Sequence, residues 1–332
     1  MYAQNLARHW AAEGHDVVFC ASSVPGLPSS ETVDGYTIRR GGGALGVYRE
    51  ARKYYQSFPH GHFDAVLDVV NTRPFMAPRW ADTSRVVTLI HQVAREVWRY
   101  EVPWPVSAMG RYVLEPRWLR AYRKAPVLTV SESSRVSLLD YGLQDVTVVH
   151  EGVDAPLERA LPPRAETPTV LFVGRLSSNK RPDHALEAHA LLKATIPDAR
   201  LWVVGDGPMR AALERKAGPG VTFFGRVDAP TKQDLMASAH ALVATSVREG
   251  WGLIVSEAAR LGTRSAGYDV PGLRDSIPAA GGLLTPPTPE GLADALASAL
   301  PRWMKEERPD LGTAGVVEWK TVAAEVFQHL LP

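Results

Sequence analysis

Two cations that follow a predicted strand could bind a diphosphate. The apolar run Val170–Val173 is typical of a buried strand, and Arg175 and Lys180 lie in the polar loop after it. Ligands of open α/β sheets bind just beyond the carboxyl ends of the strands. Two fixed cations at that place can each neutralise part of a diphosphate's charge. The alternative is that this loop is an ordinary solvated surface loop.

A second loop combines two glutamates with glycines. Glu249 precedes the predicted helix 253–261, and Glu257 lies eight positions later, inside it. Gly250 and Gly252 allow a ligand to approach the backbone closely, and a helix N-terminus offers free N–H groups to an anion. The Glu257 carboxylate could accept hydrogen bonds from the two vicinal hydroxyls of a ribose. Alternatively, both acids simply favour a helix start electrostatically, although that alone would not require the glycines.

Several other chemistries are disfavoured. The chain has 332 residues, 37 basic and 36 acidic, so it lacks the basic excess of a general nucleic-acid binder. Its one cysteine, Cys20, excludes a disulfide framework and a cysteine zinc site, and fits a reducing cytoplasm. The sequence contains no Walker A, H-E-x-x-H or G-x-S-x-G motif, and its histidines form no ligand-spaced cluster. We therefore expect neither nucleic-acid binding nor a metal site.

The second half of the chain alternates apolar runs with amphipathic segments. Such runs are typical of parallel strands covered on both faces, and they lie at 170–173, 201–204, 221–224, 241–244, 264–268 and 282–284. Helices are predicted at 182–195, 208–217, 231–238, 253–261, 271–277 and 289–300. Residues 155–300 therefore read as a doubly wound α/β domain.

The first half shows the same alternation less cleanly. Strands are predicted at 16–21, 36–39, 65–70, 86–91, 127–130 and 146–149, and helices at 2–13, 46–57, 116–123 and 133–141. A doubly wound domain usually begins with a strand and a glycine-rich turn, whereas this sequence opens in a helix. We therefore expect an N-terminal domain that lacks its first strand and glycine-rich loop. The amphipathic segment 316–331 predicts a final helix.

Taken together, the motifs resemble family 4 glycosyltransferases with the GT-B fold. The second-half resemblance rests on Gly174-Arg175 with Lys180, Gly205–Pro208, Phe224–Val227, and the E-x7-E pair Glu249 and Glu257. The first half resembles the family in LARHWAAEGHDVVFCAS, in LIHQ at 89–92, in VSESS at 130–134 and in VVHEGVD at 148–154. The resemblance implies an α/β protein with two Rossmann-like doubly wound domains that face each other across a cleft. These would be an acceptor-side domain at 1–154, a donor domain at 155–315, and a segment 316–332 that packs back on the first domain.

The implied activity is a retaining transfer of a sugar from a nucleotide-diphosphate donor to a hydroxyl acceptor. No metal and no bound cofactor are expected, and the co-substrate would be a UDP- or GDP-sugar. The acceptor would be a glycan, a lipid-linked molecule or a natural product. A cytoplasmic bacterial enzyme, either free or peripheral at the inner membrane face, fits these expectations.

The resemblance also implies roles for individual residues. Arg175 and Lys180 would hold the diphosphate, Glu249 would face the sugar, and His91 would lie near the attacked carbon. The remaining donor contacts would come from Gly174, Arg226, Val227, Gly250, Trp251, Gly252, Leu253 and Glu257. A plainer reading of His91 is that it merely ends a strand.

The sequence gives weaker signals for the residues that would bind the acceptor. Asn71 and Arg73 follow a predicted strand, and Ser131 lies at a strand-to-helix turn, where a serine also caps well. The segment 111–124 carries five basic residues and one acid, with an apolar stripe of Leu114, Trp118 and Tyr122. It could rest on an anionic membrane, or the stripe could simply face the core.

Two other function classes stay open. The first is a catalytically silent GT-B protein that binds a nucleotide sugar or a partner enzyme, which the absent first strand and loop would favour. The second is another GT-B enzyme, such as a sugar-nucleotide epimerase or a phosphorylase.

Overall fold

The computed structural model describes residues 2–83, 85–153, 159–306, 308–309 and 317–331. The strands are β1 Val18–Ala21, β2 Ser30–Val33, β3 Tyr36–Arg40, β4 Val66–Val70, β5 Val86–Ile90, β6 Val127–Thr129, β7 Val146–Val148, β8 Gly152–Val153, β9 Thr169–Val173, β10 Arg200–Val204, β11 Val221–Gly225, β12 Ala241–Ala244, β13 Arg264–Tyr268, β14 Leu283–Thr285 and β15 Val317–Glu318. The α-helices are α1 Tyr2–Ala12, α2 Val47–Gln56, α3 Trp98–Glu101, α4 Val106–Met109, α5 Glu115–Leu119, α6 Glu132–Leu139, α7 Pro182–Leu192, α8 Arg210–Lys216, α9 Ala229–Ser238, α10 Leu253–Arg260, α11 Leu273–Ala279, α12 Pro289–Trp303 and α13 Trp319–Leu330.

The described residues form two compact units. The first takes those of 1–95, 109–154 and 317–332, and the second those of 96–108 and 155–316. The predicted first domain was the whole of 1–154, whereas the structure groups 96–108 with the second unit, because α3 packs on the turn Ser178–Lys180 there. The predicted boundaries at 154/155 and 315/316 lie outside the described residues.

The second unit is built on one continuous parallel sheet with the order β11-β10-β9-β12-β13-β14. Every residue of the central strand β9 is buried, because helices cover both faces of the sheet. Leu171 packs into the core on one face and Leu201 into the core on the other. Burying a side chain of this size contributes about 1.5–3 kcal/mol. The predicted doubly wound α/β architecture is confirmed for this half.

The first unit divides its strands between separate sheets. Strands β4, β5, β6 and β7 form a parallel sheet, while β1, β3 and β2 form a three-stranded one. Strand β2 pairs antiparallel with β3 through a hairpin whose central residues, Asp34 and Gly35, both have positive φ. A third, two-stranded sheet joins β15 to β8. Helix α13 packs on α1, where the Trp10 Nε1 donates a hydrogen bond of 2.9 Å to the Ala323 carbonyl.

A buried carboxylate orders the chain after β4. The Asp68 side chain accepts hydrogen bonds from the Tyr122 hydroxyl at 2.6 Å and from the Ala77 N–H at 2.9 Å. The same hydroxyl accepts the Met76 N–H at 2.8 Å. Burial raises the pKa of Asp68 above its usual range, and the hydrogen bond from Tyr122 opposes that shift. This network holds the segment that follows Asn71.

Candidate functional site

The two predicted diphosphate cations lie beyond β9, at the carboxyl edge of the second unit's sheet. Arg175 is exposed, and its side chain makes no polar contact with the part of the chain that the structure describes. Lys180 ends the 3₁₀ turn Ser178–Lys180, and its ammonium donates a hydrogen bond to the Glu249 carboxylate. One cation is therefore open to an anion, and the other has a partner that an anion could replace.

Glu249 lies at the centre of this cluster. Its Oε1 accepts both Lys180 and the Ser246 hydroxyl, the latter at 2.6 Å. The side chain is 14% exposed, against 30% for Lys180. The predictions gave these two residues separate roles, and the structure brings them into direct contact. Neither Ser246 nor its bond to Glu249 was predicted, because a serine two residues beyond a strand carries no distinctive signal.

The loops that carry the pair are tied to one another. The Thr245 hydroxyl lies 2.9 Å from the Lys180 carbonyl and 2.8 Å from that of Arg181, so its one proton is shared between them in a bifurcated hydrogen bond. The Val247 N–H donates to the Asn179 carbonyl at 2.9 Å. Because Thr245 directly follows β12, these bonds hold the loop after β9 against the loop after β12.

The Gly-Asp-Gly-Pro turn has a packing role. A Cβ on Gly205 would lie 1.9 Å from the Gly174 carbonyl oxygen, and a Cβ on Gly207 would lie 2.5 Å from that of Leu176. The Leu176 N–H in turn donates to the Asp206 carbonyl at 3.0 Å. Both glycines are therefore needed because this turn lies against the backbone that carries Arg175.

The second predicted glutamate is also paired. The Lys232 ammonium, from α9, donates to Glu257 Oε2 at 2.8 Å. The two side chains are 29% and 26% exposed, so the carboxylate is within reach of a ligand. Lys232 was not predicted, because it lies 25 positions from Glu257 on a different helix.

Gly252 and its neighbours form the start of α10. Gly252 is the N-cap with a φ of 95°, a conformation that favours glycine, and Leu253 is the first helical residue. The Trp251 indole is buried and donates to the Ser256 hydroxyl at 2.9 Å. Trp251 therefore anchors the helix start, where its neighbour Gly250 is half-buried.

The other predicted donor contacts lie at the same sheet edge. Arg226 and Val227 follow β11, with Arg226 exposed and Val227 packed on a core cluster. Gly174 has room for a Cβ, whose nearest neighbours would be 3.7 Å away. Its conformation therefore does not require glycine.

His91 directly follows β5 in the first unit. Its Nε2 lies 3.8 Å from Glu151 Oε1, and its ring meets Tyr2 edge-on, with 4.9 Å between the ring centroids. Burial lowers the pKa of His91 from 6.5 to about 4. At neutral pH the imidazole is therefore uncharged, and it can exchange hydrogen bonds but supplies no positive charge.

The predicted acceptor-side residues have different surroundings. Asn71 and Arg73 are exposed, and the Arg73 guanidinium lies 4.4 Å from the centroid of the Tyr48 ring. Ser131 is 1% exposed and caps α6, since its side chain accepts the Ser134 N–H at 3.2 Å. That is the capping role which its place at a strand-to-helix turn suggested.

The predicted apolar stripe of the segment 111–124 is only partly buried. Tyr122 is fully buried, whereas Leu114 and Trp118 are half-buried. Arg117, Arg120 and Lys124 are exposed.

None of the helices in the described ranges is both long and apolar enough to cross a bilayer. Across those same ranges, no three histidine, cysteine or acidic side chains cluster as metal ligands.

Two family models match the chain. The model described as "Glycosyltransferase Family 4" matches residues 1–156, and the one described as "Glycosyl transferases group 1" matches residues 155–315. Together they cover residues 1–315.

Among curated relatives, the chain is similar to a "GDP-mannose-dependent alpha-(1-6)-phosphatidylinositol dimannoside mannosyltransferase" of Mycobacterium tuberculosis. The two are 33% identical over 170 residues, which is 49% of this chain and 45% of that protein. The match thus spans less than half of that relative. A "Glycogen synthase" of M. tuberculosis is 26% identical over 382 residues, covering 99% of this chain and 90% of that protein.

Solved structures share the fold. "Sucrose-phosphate synthase" from Thermosynechococcus elongatus aligns with a TM-score of 0.76 and 22% identity, covering 98% of this chain and 91% of that chain. HepE of Anabaena, solved "in complex with UDP and glucose", aligns with a TM-score of 0.71 and 15% identity, covering 99% of this chain and 94% of that chain.

Proposed function

This chain belongs to glycosyltransferase family 4 and has the GT-B fold, and from that premise we propose that it transfers a sugar from a nucleotide diphosphate to a hydroxyl acceptor. The first unit would bind the acceptor and the second the donor. The observation that carries the proposal is the exposed Arg175 beside the Lys180–Glu249 pair, at the carboxyl edge of a parallel sheet. Such an edge is where open α/β sheets bind ligands.

The cations would act on the leaving group. A bound diphosphate would replace Glu249 as the partner of Lys180, and Arg175 would neutralise further charge. The bond from the anomeric carbon to the diphosphate breaks, and a bond to the acceptor oxygen forms. The acceptor's proton ends on the leaving diphosphate, so no separate general base is required. Preorganised cations stabilise the charge that develops on the leaving group, and they would make a metal ion unnecessary.

The released Glu249 carboxylate would then face the sugar, and the transfer would retain the anomeric configuration. Glu257 would accept hydrogen bonds from the ribose hydroxyls, sharing its carboxylate with Lys232. The His91 imidazole, neutral at pH 7, would exchange a hydrogen bond with the sugar. A UDP- or GDP-sugar is the donor we favour, because HepE was solved with UDP and the mycobacterial mannosyltransferase is named for GDP-mannose.

The basic outer face of 111–124 supports a peripheral contact with an anionic membrane. Arg117, Arg120 and Lys124 are exposed there, and no carboxylate of the described chain lies within salt-bridge distance of any of the three. Basic residues at an anionic surface each contribute about 1 kcal/mol to its binding. A lipid-linked acceptor would be reached most directly from such a position.

A transfer assay tests the activity. UDP-glucose and GDP-mannose are each offered with a short α-glucan or with a phosphatidylinositol mannoside, and nucleotide release is followed with and without EDTA. We expect release that EDTA leaves unchanged, and an α-linked product in proton NMR. Lys180→Ala should lower kcat by about 10²–10³-fold, as for the loss of one preorganised donor. A product of inverted configuration, or release that Lys180→Ala leaves unchanged, would contradict the mechanism.

A further inference from the structure

One segment from the first half of the chain contacts the loop that carries Lys180. The Tyr100 carbonyl accepts the Ser178 hydroxyl at 2.8 Å, and the Tyr100 hydroxyl accepts the Arg181 Nη2 at 2.8 Å. The guanidinium of Arg181 also lies 5.6 Å from the centroid of the Tyr100 ring. Ser178 and Arg181 flank Lys180, so Tyr100 holds this loop on both sides of the cation.

The same segment contacts the loop that carries the acid. Arg248 directly precedes Glu249, and its Nε donates to Glu96 Oε2 at 3.0 Å. The Arg248 side chain is only 4% exposed. Removing one partner of a buried charge is costly, so Glu96 restrains the backbone next to Glu249.

The backbone at Arg181 shows why such a restraint matters. Arg181 has a φ of 47°, a left-handed conformation that a non-glycine residue adopts at an energetic cost. It is also the N-cap of α7, and its side chain makes no bond that would cap the helix. The Thr245 hydroxyl fixes the Arg181 carbonyl, and Tyr100 fixes its side chain. The turn is therefore held in this conformation by its neighbours.

We propose that Glu96 and Tyr100 are positioning residues of the donor site, which set the loops of Lys180 and Glu249 at the separation that a nucleotide diphosphate requires. The inference rests on the proposed function. It makes the donor site a product of both halves of the sequence, although the nucleotide-binding motifs all lie in the second. Neither residue needs to touch the donor, because each acts through an arginine adjacent to Lys180 or Glu249.

The test uses Tyr100→Phe and Glu96→Gln in the full chain. Tyr100→Phe keeps the ring but removes the hydroxyl, and Glu96→Gln keeps the shape but removes the charge. Glu101→Gln is the matched control, because Glu101 is exposed and lies beside Tyr100 on helix α3. UDP and GDP are each titrated by calorimetry. The nucleotide that binds more tightly is then compared with its own monophosphate. Each variant should weaken diphosphate binding about 3–10-fold, as for the loss of one hydrogen bond, and the control by less than 2-fold.

A further readout separates positioning from general stability. The monophosphate lacks the second phosphate, so a displaced Lys180 loop should cost the diphosphate more affinity than the monophosphate. An equal loss for both nucleotides, together with a lowered melting temperature, would overturn the positioning role.

The two proposals can also fail separately. If the unaltered protein binds neither UDP nor GDP, the proposed function fails, and this inference fails with it. If Arg175→Ala/Lys180→Ala weakens binding roughly 30–100-fold while Tyr100→Phe and Glu96→Gln bind normally, only this inference is overturned.

Discussion

The two units use the same strand–helix alternation but organise their polar residues differently. In the second, one continuous six-stranded sheet brings the ends of β9 and β12 together, and Lys180 meets Glu249 there. In the first, Asn71, His91 and Ser131 follow the neighbouring parallel strands β4, β5 and β6, yet none of the described side-chain contacts joins any two of them. A parallel sheet gathers loop residues at one edge, but it does not by itself bring their side chains into contact. The difference between the units therefore lies in the loops that follow the strands.

The largest effect is expected from a substitution that disturbs the packing of the loops in the second unit. Gly205→Ala would place a Cβ 1.9 Å from the Gly174 carbonyl, at a φ of 129°. We expect the unfolding free energy of this unit to fall by about 3 kcal/mol, with weaker nucleotide binding, measured by urea denaturation and calorimetry. Gly218→Ala is the control, since no atom lies within 4 Å of its Cβ. Equal stability of the two variants would refute the packing role.

The basic face of the first unit gives the next largest effect. Arg117→Ala/Arg120→Ala should weaken binding to vesicles of phosphatidylglycerol and phosphatidylcholine by about 2 kcal/mol, or roughly 30-fold. The measurement is co-sedimentation at low and moderate salt. Arg215→Ala/Lys216→Ala removes two exposed charges from the second unit and should change little. If both double variants bind alike, the contact is not specific to the first unit.

A smaller effect tests the buried network of the first unit. Tyr122→Phe removes the hydroxyl that donates a hydrogen bond to Asp68 and accepts one from the Met76 N–H. Leaving such buried groups short of a partner costs about 1–3 kcal/mol, which urea denaturation would detect. Nucleotide binding by the second unit should stay unchanged. A stability equal to that of the unaltered protein would show that the Asp68 network contributes nothing.

The smallest effect depends on pH. Burial lowers the pKa of His240 to about 4, and its Nδ1 accepts the Thr169 N–H at 3.1 Å. The unfolded chain gains a proton near pH 6.5 and the folded chain only near pH 4. The stability that the neutral His240 contributes is therefore fully present above pH 6.5 and is lost as the pH falls from 6.5 towards 4. Between pH 7 and pH 5 the loss should be about 1–2 kcal/mol.

His240→Asn should remove that part of the pH dependence, because asparagine can accept the same N–H without titrating. His329→Asn, at an exposed position, serves as the control and should leave the dependence intact. Chemical denaturation at pH 7 and pH 5 compares the two. Parallel curves for His240→Asn and the unaltered protein would contradict the assignment.

Much of the fold follows from local pattern. The apolar runs predicted β9 to β14 to within one residue. The signal is clearest for β9 and β12, in which every residue is buried, because a strand that is buried on both faces is an unbroken apolar run. Strand β2 was missed, since Ser30–Val33 is half-exposed and polar. The signal that could have found it is the Asp34-Gly35 pair, a typical two-residue hairpin turn.

The site was predictable in its parts but not in its contacts. Sequence spacing placed Lys180 and Glu249 at strand ends, but their ion pair joins residues 69 positions apart. Which side chains meet across two loops depends on their rotamers and on the backbone conformation of Arg181. Hydrophobic periodicity in the sequence predicts neither of these. The contribution of Glu96 and Tyr100 is harder still to foresee, because residues 96–108 belong to the second unit although they precede the rest of it, 155–316, in the sequence.

The central claim is that Arg175 and Lys180 form a diphosphate site. Calorimetric titration of UDP and GDP into the unaltered chain, Arg175→Ala/Lys180→Ala, and the charge-matched Arg215→Ala/Lys216→Ala tests it most directly. Loss of two charge-assisted contacts should weaken binding by about 2–3 kcal/mol, or roughly 30–100-fold, only in the first variant. Failure of the unaltered chain to bind either nucleotide, or equal affinity in all three proteins, would contradict the claim and favour a catalytically silent protein.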